Sequence, residues 1–170
     1  METKKQEQLK AYRDLMLASR QKSLEFISGT DYRFQTIGYC NGCEVINDSR
    51  SADIESTAIS LDMVTNPLHL ILDATHLESV VNHLQKQIKL KVITLGVYGE
   101  FNQSMNAEIC GWVDAFVYHQ KLDDVVSSMV QRLKKGDTML FSPASPGLEI
   151  YTNVAQRGDH FNKIITPHLS

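Results

Sequence analysis

Asp137-Thr-Met-Leu-Phe-Ser-Pro-Ala-Ser-Pro-Gly-Leu148 is a stretch whose character changes halfway along. Residues 138–141 are suited to a short buried strand, and residues 142–147 hold the serine, proline and glycine of a turn-rich loop. We predict that a helix begins near Leu148. Parallel sheets hold ligands outside the carboxyl end of such a strand, and the first N–H groups of a helix favour an anion. The stretch therefore predicts a ligand site in an α/β sheet, and a carboxylate, a phosphate or no ligand at all is compatible with it.

Strand-like and helix-like segments alternate through the rest of the chain. Residues 68–72 and 115–118 are short apolar runs typical of buried parallel strands. Asn41-Gly42, between strand-like segments at residues 32–40 and 43–46, predicts a β-hairpin turn. The stripe of apolar residues from Leu122 to Leu133 has helical spacing and predicts a core-facing helix. We predict an α/β fold with a Rossmann-like, open, mostly parallel sheet of about six strands, an antiparallel N-terminal hairpin strand, and helices on both faces.

Two helix starts can be assigned from their capping residues. Ser51 or Asp53 is expected to cap a helix over residues 54–64, and Thr75 is expected to cap a helix over residues 76–88. A further helix is expected over residues 102–111.

Composition excludes several classes of protein. The chain has 170 residues and a net charge of −3, and no compact basic stripe suggests nucleic acid. No apolar run is long enough to span a bilayer, and residues 1–10 do not resemble a signal peptide, so we expect a cytoplasmic protein. Three cysteines argue against a disulfide framework. Cys40 and Cys43 flank the predicted Asn-Gly turn, and a zinc site would need two more ligands, so we expect no metal.

The N-terminal segment, residues 1–29, is expected to be a helical extension that precedes a domain over residues 30–170. Leu9, Tyr12, Leu15 and Met16 follow helical spacing, and Gly29 suits the position that ends a helix. This helix is expected either to pack on its own domain or to join a second copy or another partner.

Two blocks of sequence carry a family resemblance. They are Asn41-Gly42 with Asn47-Asp48-Ser49-Arg50-Ser51-Ala52, and Ser142-Pro143-Ala144 with Asn153, Arg157-Gly158 and Phe161. In this order and at nearly this separation they resemble the C-terminal domain of the Mur ligases, most closely the D-glutamate-adding branch. The resemblance covers residues 31–166. It implies an ATP-dependent amide ligase of peptidoglycan-precursor synthesis.

The resemblance also implies roles for particular residues. In the family a lysine in the first block contacts the carboxylate of the incoming amino acid, and this chain has Arg50 in its place. Arg33 stands where the family has an arginine near the nucleotide. An acidic amino acid is therefore the expected ligand, at a carboxylate site formed by Asn47, Ser49, Arg50, Ser142, Gly147 and Leu148. Because arginine and lysine bind a carboxylate with different geometry, the family's arrangement need not be kept.

The chain departs from the family where a nucleotide would bind. The family has a glycine-rich run with a lysine near the phosphates, but this chain has Asp73-Ala74-Thr75-His76, and it contains no Gly-x-x-x-x-Gly-Lys-Thr loop. We therefore expect a free-standing, degenerate pseudoenzyme without a cofactor, which binds a ligand or assembles with a partner. The alternative is one component of a split ligase, in which a partner domain supplies ATP and Mg²⁺ and this chain holds D-glutamate.

Overall fold

The sheet has six strands in residues 31–100 and 106–170, the part of the chain that the computed structural model describes. The strands are β1 (Gln35–Cys40), β2 (Cys43–Asn47), β3 (Leu68–Asp73), β4 (Val92–Tyr98), β5 (Ala115–His119) and β6 (Thr138–Phe141). Their order is β1-β2-β6-β3-β4-β5, and every neighbouring pair is parallel except β1 with β2. The predicted mostly parallel sheet with an antiparallel hairpin strand is confirmed. The helix predicted over residues 1–29 lies outside the described residues.

The helices follow the strands in alternation. They are α1 (Ile54–Met63), α2 (Leu77–Lys91), α3 (Asn106–Cys110), α4 (Leu122–Val130) and α5 (Val154–Ile165), and a 3-10 turn, Thr166–His168, closes the chain. The start of the helix predicted over residues 102–111 also lies outside the described residues. In the described part of the chain, no helix combines the length and apolar character that crossing a bilayer requires.

Both faces of the sheet are covered, as the mostly apolar run at residues 68–72 predicts. All six residues of β3 are buried. Leu70 belongs to the core that Leu61 of α1 and Leu84 of α2 complete, whereas its neighbour Ile71 belongs to the core that Phe161 of α5 completes. Successive side chains of a strand point to opposite faces, so β3 joins the two cores. Each fully buried side chain of this kind contributes roughly 1.5–3 kcal/mol.

The hairpin turn is built as the Asn-Gly pair predicts. Asn41 and Gly42 have positive φ values of 53° and 76°, which a two-residue hairpin of the favoured twist requires. Cys40 and Cys43 pair across the turn and are both buried, unbridged thiols. Burial and the charge of Asp137 raise the pKa of Cys43 to about 12. The thiol therefore stays protonated at neutral pH, and the pair is a structural element of the turn.

The start of β1 differs from the prediction. The strand was expected from Tyr32, but it begins at Gln35. Tyr32 and Phe34 have φ values of 62° and 44°, which are outside the range of a strand. The backbone N–H of Phe34 instead donates to the carboxylate of Asp48, at 3.0 Å.

Of the two predicted helix caps, one is confirmed and one is wrong. The Asp53 carboxylate accepts from the N–H of Ser56 and caps α1. Thr75 does not cap α2, which begins one residue later than predicted, with His76 at the N-cap position and a φ of 57°. The N–H of Thr75 donates to Asp73, at 2.8 Å. This bond turns the chain at the end of β3 and displaces the helix start.

The helix predicted near Leu148 begins six residues later, at Val154. Residues 147–151 form only a turn, in which the N–H groups of Ile150 and Tyr151 both donate to the Gly147 carbonyl. The Asn153 side chain accepts from the N–H of Gln156 and thereby sets the true start of α5. The helix N-terminus expected to favour an anion at Leu148 is therefore not there.

Candidate ligand site

An open cavity of about 550 Å³ lies at the carboxyl edge of the sheet. It is formed where β3, β4 and β5 end and where the loop after β6 passes over them. The order of the sheet reverses between β3 and β6, and ligands of open α/β sheets bind at such a crossover. The residues that line the cavity are Asp73, Ala74, Thr75, His76, Gly99, Glu100, Gln120, Gly147, Glu149 and Ile150.

The lining has a definite charge pattern. Asp73, Glu100 and Glu149 bring three carboxylates to the wall, and the described lining residues include no lysine or arginine. The cavity also has a positive feature. Helix α2 begins at this wall after His76 without a side-chain cap, so the positive end of its dipole faces the same region. The cavity can therefore receive a cationic group and an anionic group together. That combination matches the ammonium and carboxylate of an amino acid.

Asp73, at the end of β3, is the buried carboxylate of the wall. It is 2% exposed, and one oxygen accepts from the N–H of Thr75. Beside it, burial raises the pKa of Tyr98 well above its ordinary value, and the negative charge of Asp73 adds to the shift. The Tyr98 hydroxyl therefore stays protonated, and the Asp73 carboxylate is its neighbouring acceptor.

Arg157 is a fully buried cation behind the cavity wall. Its Nε donates to the Ser49 hydroxyl at 3.2 Å, and its Nη2 donates to the Ser49 carbonyl at 2.7 Å. Its Nη1 lies 4.0 Å from Asp73 and makes no hydrogen bond within the described residues. A Cβ at Gly147 would stand 2.4 Å from this Nη1. Glycine is therefore the residue that allows the loop to cross the guanidinium, and Arg157 and Asp73 form a buried ion pair.

Asp48 joins the two sequence blocks. It is 1% exposed, and its Oδ2 accepts from the hydroxyls of Ser51, Ser60 and Ser142 at 2.5, 2.6 and 2.7 Å. Its Oδ1 accepts from the N–H of Phe34. Burial raises the pKa of Asp48, and the hydrogen bonds act in the opposite direction. The network holds the loop after β2 against the loop after β6, which is the loop that crosses the cavity.

Asn47 and Ser49 fasten the same loop to α5. The Asn47 amide donates to the Gly158 carbonyl at 3.0 Å and to Asn162 at 2.7 Å, and its oxygen accepts from the N–H of Ser49. The Ser49 hydroxyl donates to the Val154 carbonyl at 2.7 Å. Both side chains are thus fully buried in hydrogen bonds within the protein. They position Arg157 rather than line the cavity.

The six residues of the expected carboxylate site therefore do not share one surface. Gly147 lines the cavity, whereas Asn47, Ser49 and Ser142 are buried behind it. Leu148 is 67% exposed. Arg50 is exposed and its N–H donates to the Tyr32 carbonyl, and neither Arg50 nor Arg33 is among the lining residues. A role for Arg50 or Arg33 in ligand binding stays a prediction.

The carboxylates of the wall and the buried Arg157 were not singled out as site residues from the sequence. The sequence position of Asp73 could have indicated a site residue, because Asp73 follows a predicted buried strand at the edge of the sheet where a ligand is expected. Glu149 lies where the sequence predicts the first turn of a helix, but the helix does not begin there. Arg157 belongs to the Arg-Gly pair of the second block, and only its contact with Ser49, 108 residues away, shows what it holds.

The sequence is similar to those of ligases over most of its length. It is 24% identical to a UDP-N-acetylmuramoylalanine–D-glutamate ligase of Hydrogenobaculum over 156 residues, which are 92% of this chain and 38% of that enzyme. It is 28% identical to the enzyme of the same name from Oenococcus oeni over 85% of this chain and 33% of that enzyme. The chain thus spans about a third of the length of these relatives. No protein-family model matches it.

The first of these matches also bears on the N-terminal segment. Its 156 residues are more than the chain holds from Asp31 to Ser170, so the similarity extends into the segment before Asp31.

Two solved structures share the fold. A domain from a Haemophilus ducreyi protein, named for a UDP-N-acetylmuramate:L-alanyl-gamma-D-glutamyl-meso-diaminopimelate ligase, superposes with a TM-score of 0.53 at 16% identity. The match covers 79% of this chain and 98% of that domain. The MurF ligase of Thermotoga maritima gives a TM-score of 0.51 at 12% identity, over 82% of this chain and 31% of that enzyme. The chain is therefore similar in sequence to the D-glutamate-adding Mur ligases and has the fold of a Mur ligase C-terminal domain.

Proposed function

We propose that this chain supplies a ligase-related domain of peptidoglycan-precursor synthesis, which binds an acidic amino acid and forms no amide bond by itself. The observation that carries the proposal is the charge pattern of the cavity. The carboxylates of Glu100 and Glu149 in its lining suit the ammonium group of an amino acid, whereas the charge of Asp73 is balanced by Arg157. The uncapped start of α2, beside His76, suits a carboxylate of the same molecule.

The same charge pattern disfavours a nucleotide triphosphate. A triphosphate needs cations or close backbone approach, as in glycine-rich phosphate loops. Glu100 and Glu149 would instead repel it, and the residues after β3 include no glycine before α2. In the described residues, no group of three His, Cys, Asp or Glu side chains is arranged to hold a metal ion. These features support a ligand smaller and less anionic than MgATP.

Calorimetry with D-glutamate and with glutarate tests whether the cavity recognises the ammonium group of the ligand. Both carry the same two carboxylates, but glutarate lacks the ammonium group. We expect D-glutamate to bind at least roughly tenfold more tightly, because its ammonium group gains charge-assisted hydrogen bonds with the wall. Glu149→Gln is expected to weaken D-glutamate binding and to leave glutarate binding equal or tighter.

Glu55→Gln is the matched control, since Glu55 is an exposed acid of α1 outside the cavity. It should change neither affinity. Equal affinities for D-glutamate and glutarate, or a Glu149→Gln variant with unchanged affinity for D-glutamate, would contradict the assignment of the ammonium group to this wall.

A second candidate is the split ligase, in which another domain closes the cavity. The observation that favours it is the apolar rim: Leu148 is 67% exposed and Ile150, which lines the cavity, is 57% exposed. Such side chains are suited to contact with a covering surface. This candidate requires ADP release from ATP to appear only after a nucleotide-binding partner is added. ADP release from ATP by this chain alone would contradict both candidate functions.

A further inference from the structure

Three polar side chains from three segments form a row beside the turn after β6, joined by one hydrogen bond and one ion-pair contact. The Tyr151 hydroxyl lies 2.8 Å from Nδ1 of His160, and Nε2 of His160 lies 3.2 Å from the carboxylate of Asp123. Tyr151 ends the turn after β6, His160 is on α5, and Asp123 is in the first turn of α4. The row therefore connects the turn to both helices on this face of the sheet.

Tyr151 is the residue through which the row reaches the cavity. Its backbone N–H and that of Ile150 donate to the Gly147 carbonyl, at 2.9 and 3.2 Å. Its ring is 8% exposed and packs in the core with Phe161. By contrast, residues 148–150 of the same turn are exposed. The position of the turn, three of whose residues line the cavity, therefore depends on how the Tyr151 side chain is held.

The direction of the hydrogen bonds depends on the charge of the imidazole. An ionised Asp123 only accepts, so Nε2 must carry a hydrogen. In neutral His160 this leaves Nδ1 as an acceptor, and the Tyr151 hydroxyl donates to it. Burial raises the pKa of Tyr151 to about 12, so the phenol keeps its hydrogen across the neutral range.

A proton on His160 reverses one of these bonds. Both ring nitrogens then carry a hydrogen. Nδ1 donates a charge-assisted hydrogen bond to the Tyr151 oxygen. The imidazolium also forms an ion pair with Asp123, which solvent screens because the two side chains are 35% and 54% exposed. The Tyr151 hydrogen must turn away from the imidazole. Protonation thus changes both the strength and the direction of the contact that holds the turn.

The charged groups around the His160 imidazole could also affect its protonation. Its own helix carries Arg157 and Lys163 one turn to either side and Asp159 next to it, and Asp159 accepts from the Tyr32 hydroxyl. β2 and the turn Thr166–His168 also pack on α5, and neither gives the imidazole a hydrogen bond or ion pair. Asp73 and Arg157 act on the far side, at the Tyr151 hydroxyl. Asp123 and Tyr151 are therefore the direct partners of the proton on His160.

We propose that His160 is a positioning residue, and that the Tyr151–His160–Asp123 row is a pH-sensitive latch on the cavity wall. The latch is tighter when the imidazole is protonated, and it loosens when the imidazole loses that proton. That it adjusts the affinity of the cavity for a ligand rests on the proposed function. The latch itself is tested without a ligand, so the two ideas can fail separately.

The test is a pH titration by NMR on the protein labelled with nitrogen-15, from about pH 5.5 to pH 8, the range in which histidine changes charge. The amide signals of Gly147, Glu149 and Ile150 are expected to move with the same midpoint as the His160 ring nitrogens. In Tyr151→Phe, which keeps the buried ring and removes the hydroxyl, this shared movement should disappear. In His160→Gln, whose amide can accept from Tyr151 and donate to Asp123, it should also disappear.

His83→Gln is the matched control, because His83 is an exposed histidine of α2 that bonds to the Ser79 carbonyl. In a pH titration of the His83→Gln variant, the amide signals of Gly147, Glu149 and Ile150 should move as they do in the unmodified protein. Turn signals that do not follow His160, or that still follow it in Tyr151→Phe, would overturn the latch. A folded Tyr151→Phe protein is sufficient for this decision if His160→Gln is unstable.

Discussion

Asp48→Ala is expected to lower the free energy of unfolding by about 4 kcal/mol, because it removes the acceptor of four hydrogen bonds. The buried hydroxyls of Ser51 and Ser60 and the part-buried N–H of Phe34 lose their partner, whereas the Ser142 hydroxyl retains the Thr57 hydroxyl at 3.0 Å. Domains are stable by only about 5–15 kcal/mol, so this is a large share of the total. Urea unfolding followed by circular dichroism measures it.

Asp53→Ala provides the comparison for that experiment. Asp53 is an exposed aspartate that makes one hydrogen bond, to the N–H of Ser56, so its loss should cost about 1 kcal/mol. Similar losses in the two variants would mean that the Asp48 network does not hold the two loops together, and the structural interpretation of the shared sequence blocks would fail.

Arg157→Met is expected to cost about 3–5 kcal/mol. The substitution keeps much of the buried volume, but it leaves the Asp73 carboxylate without its cation and Ser49 without two donated hydrogen bonds. Because the penalty comes partly from the stranded charge, Asp73→Asn in the same protein should recover part of the loss. Unfolding of the single and double variants measures this coupling.

Arg132→Met removes an exposed arginine and should change stability by less than about 0.5 kcal/mol. If Arg157→Met were equally mild, or if Asp73→Asn added to its cost instead of offsetting it, the two buried charges would not be a pair. The cavity wall would then be held by other contacts.

The fold could be predicted from sequence because its signals are local. Four of the five residues from Leu68 to Leu72 are apolar, as in a strand covered on both faces, and Asn41-Gly42 specifies a particular turn. The errors occur where a side chain bonds to the backbone and overrides such signals. Asp73 takes the N–H of Thr75 and moves the start of α2, and Asn153 sets the start of α5. Asn153 with Gln156 does have the three-residue spacing of a capping pair, so the start of α5 was open to prediction, whereas the bond from Thr75 to Asp73 competes with a plausible cap at Thr75.

The site was predicted less completely for a different reason. The two blocks lead to the correct edge of the sheet, but a block shows that residues matter without showing which way they face. Asn47 and Ser49 point away from the cavity because α5 offers them partners more than 100 residues further along the chain. The acids of the wall come together only through the crossing of β3, β4 and the last loop. That assembly requires the three-dimensional fold.

Whether the cavity accepts an amino acid and excludes a triphosphate is decided most directly by chemical-shift mapping. The labelled protein would be titrated separately with D-glutamate and with MgATP, each to millimolar concentration. D-glutamate is predicted to shift the amides of Gly99, Glu100, Gly147 and Glu149 with one common saturation curve, and MgATP is predicted to leave them in place. Saturable shifts of these same amides by MgATP, with none from D-glutamate, would contradict the account.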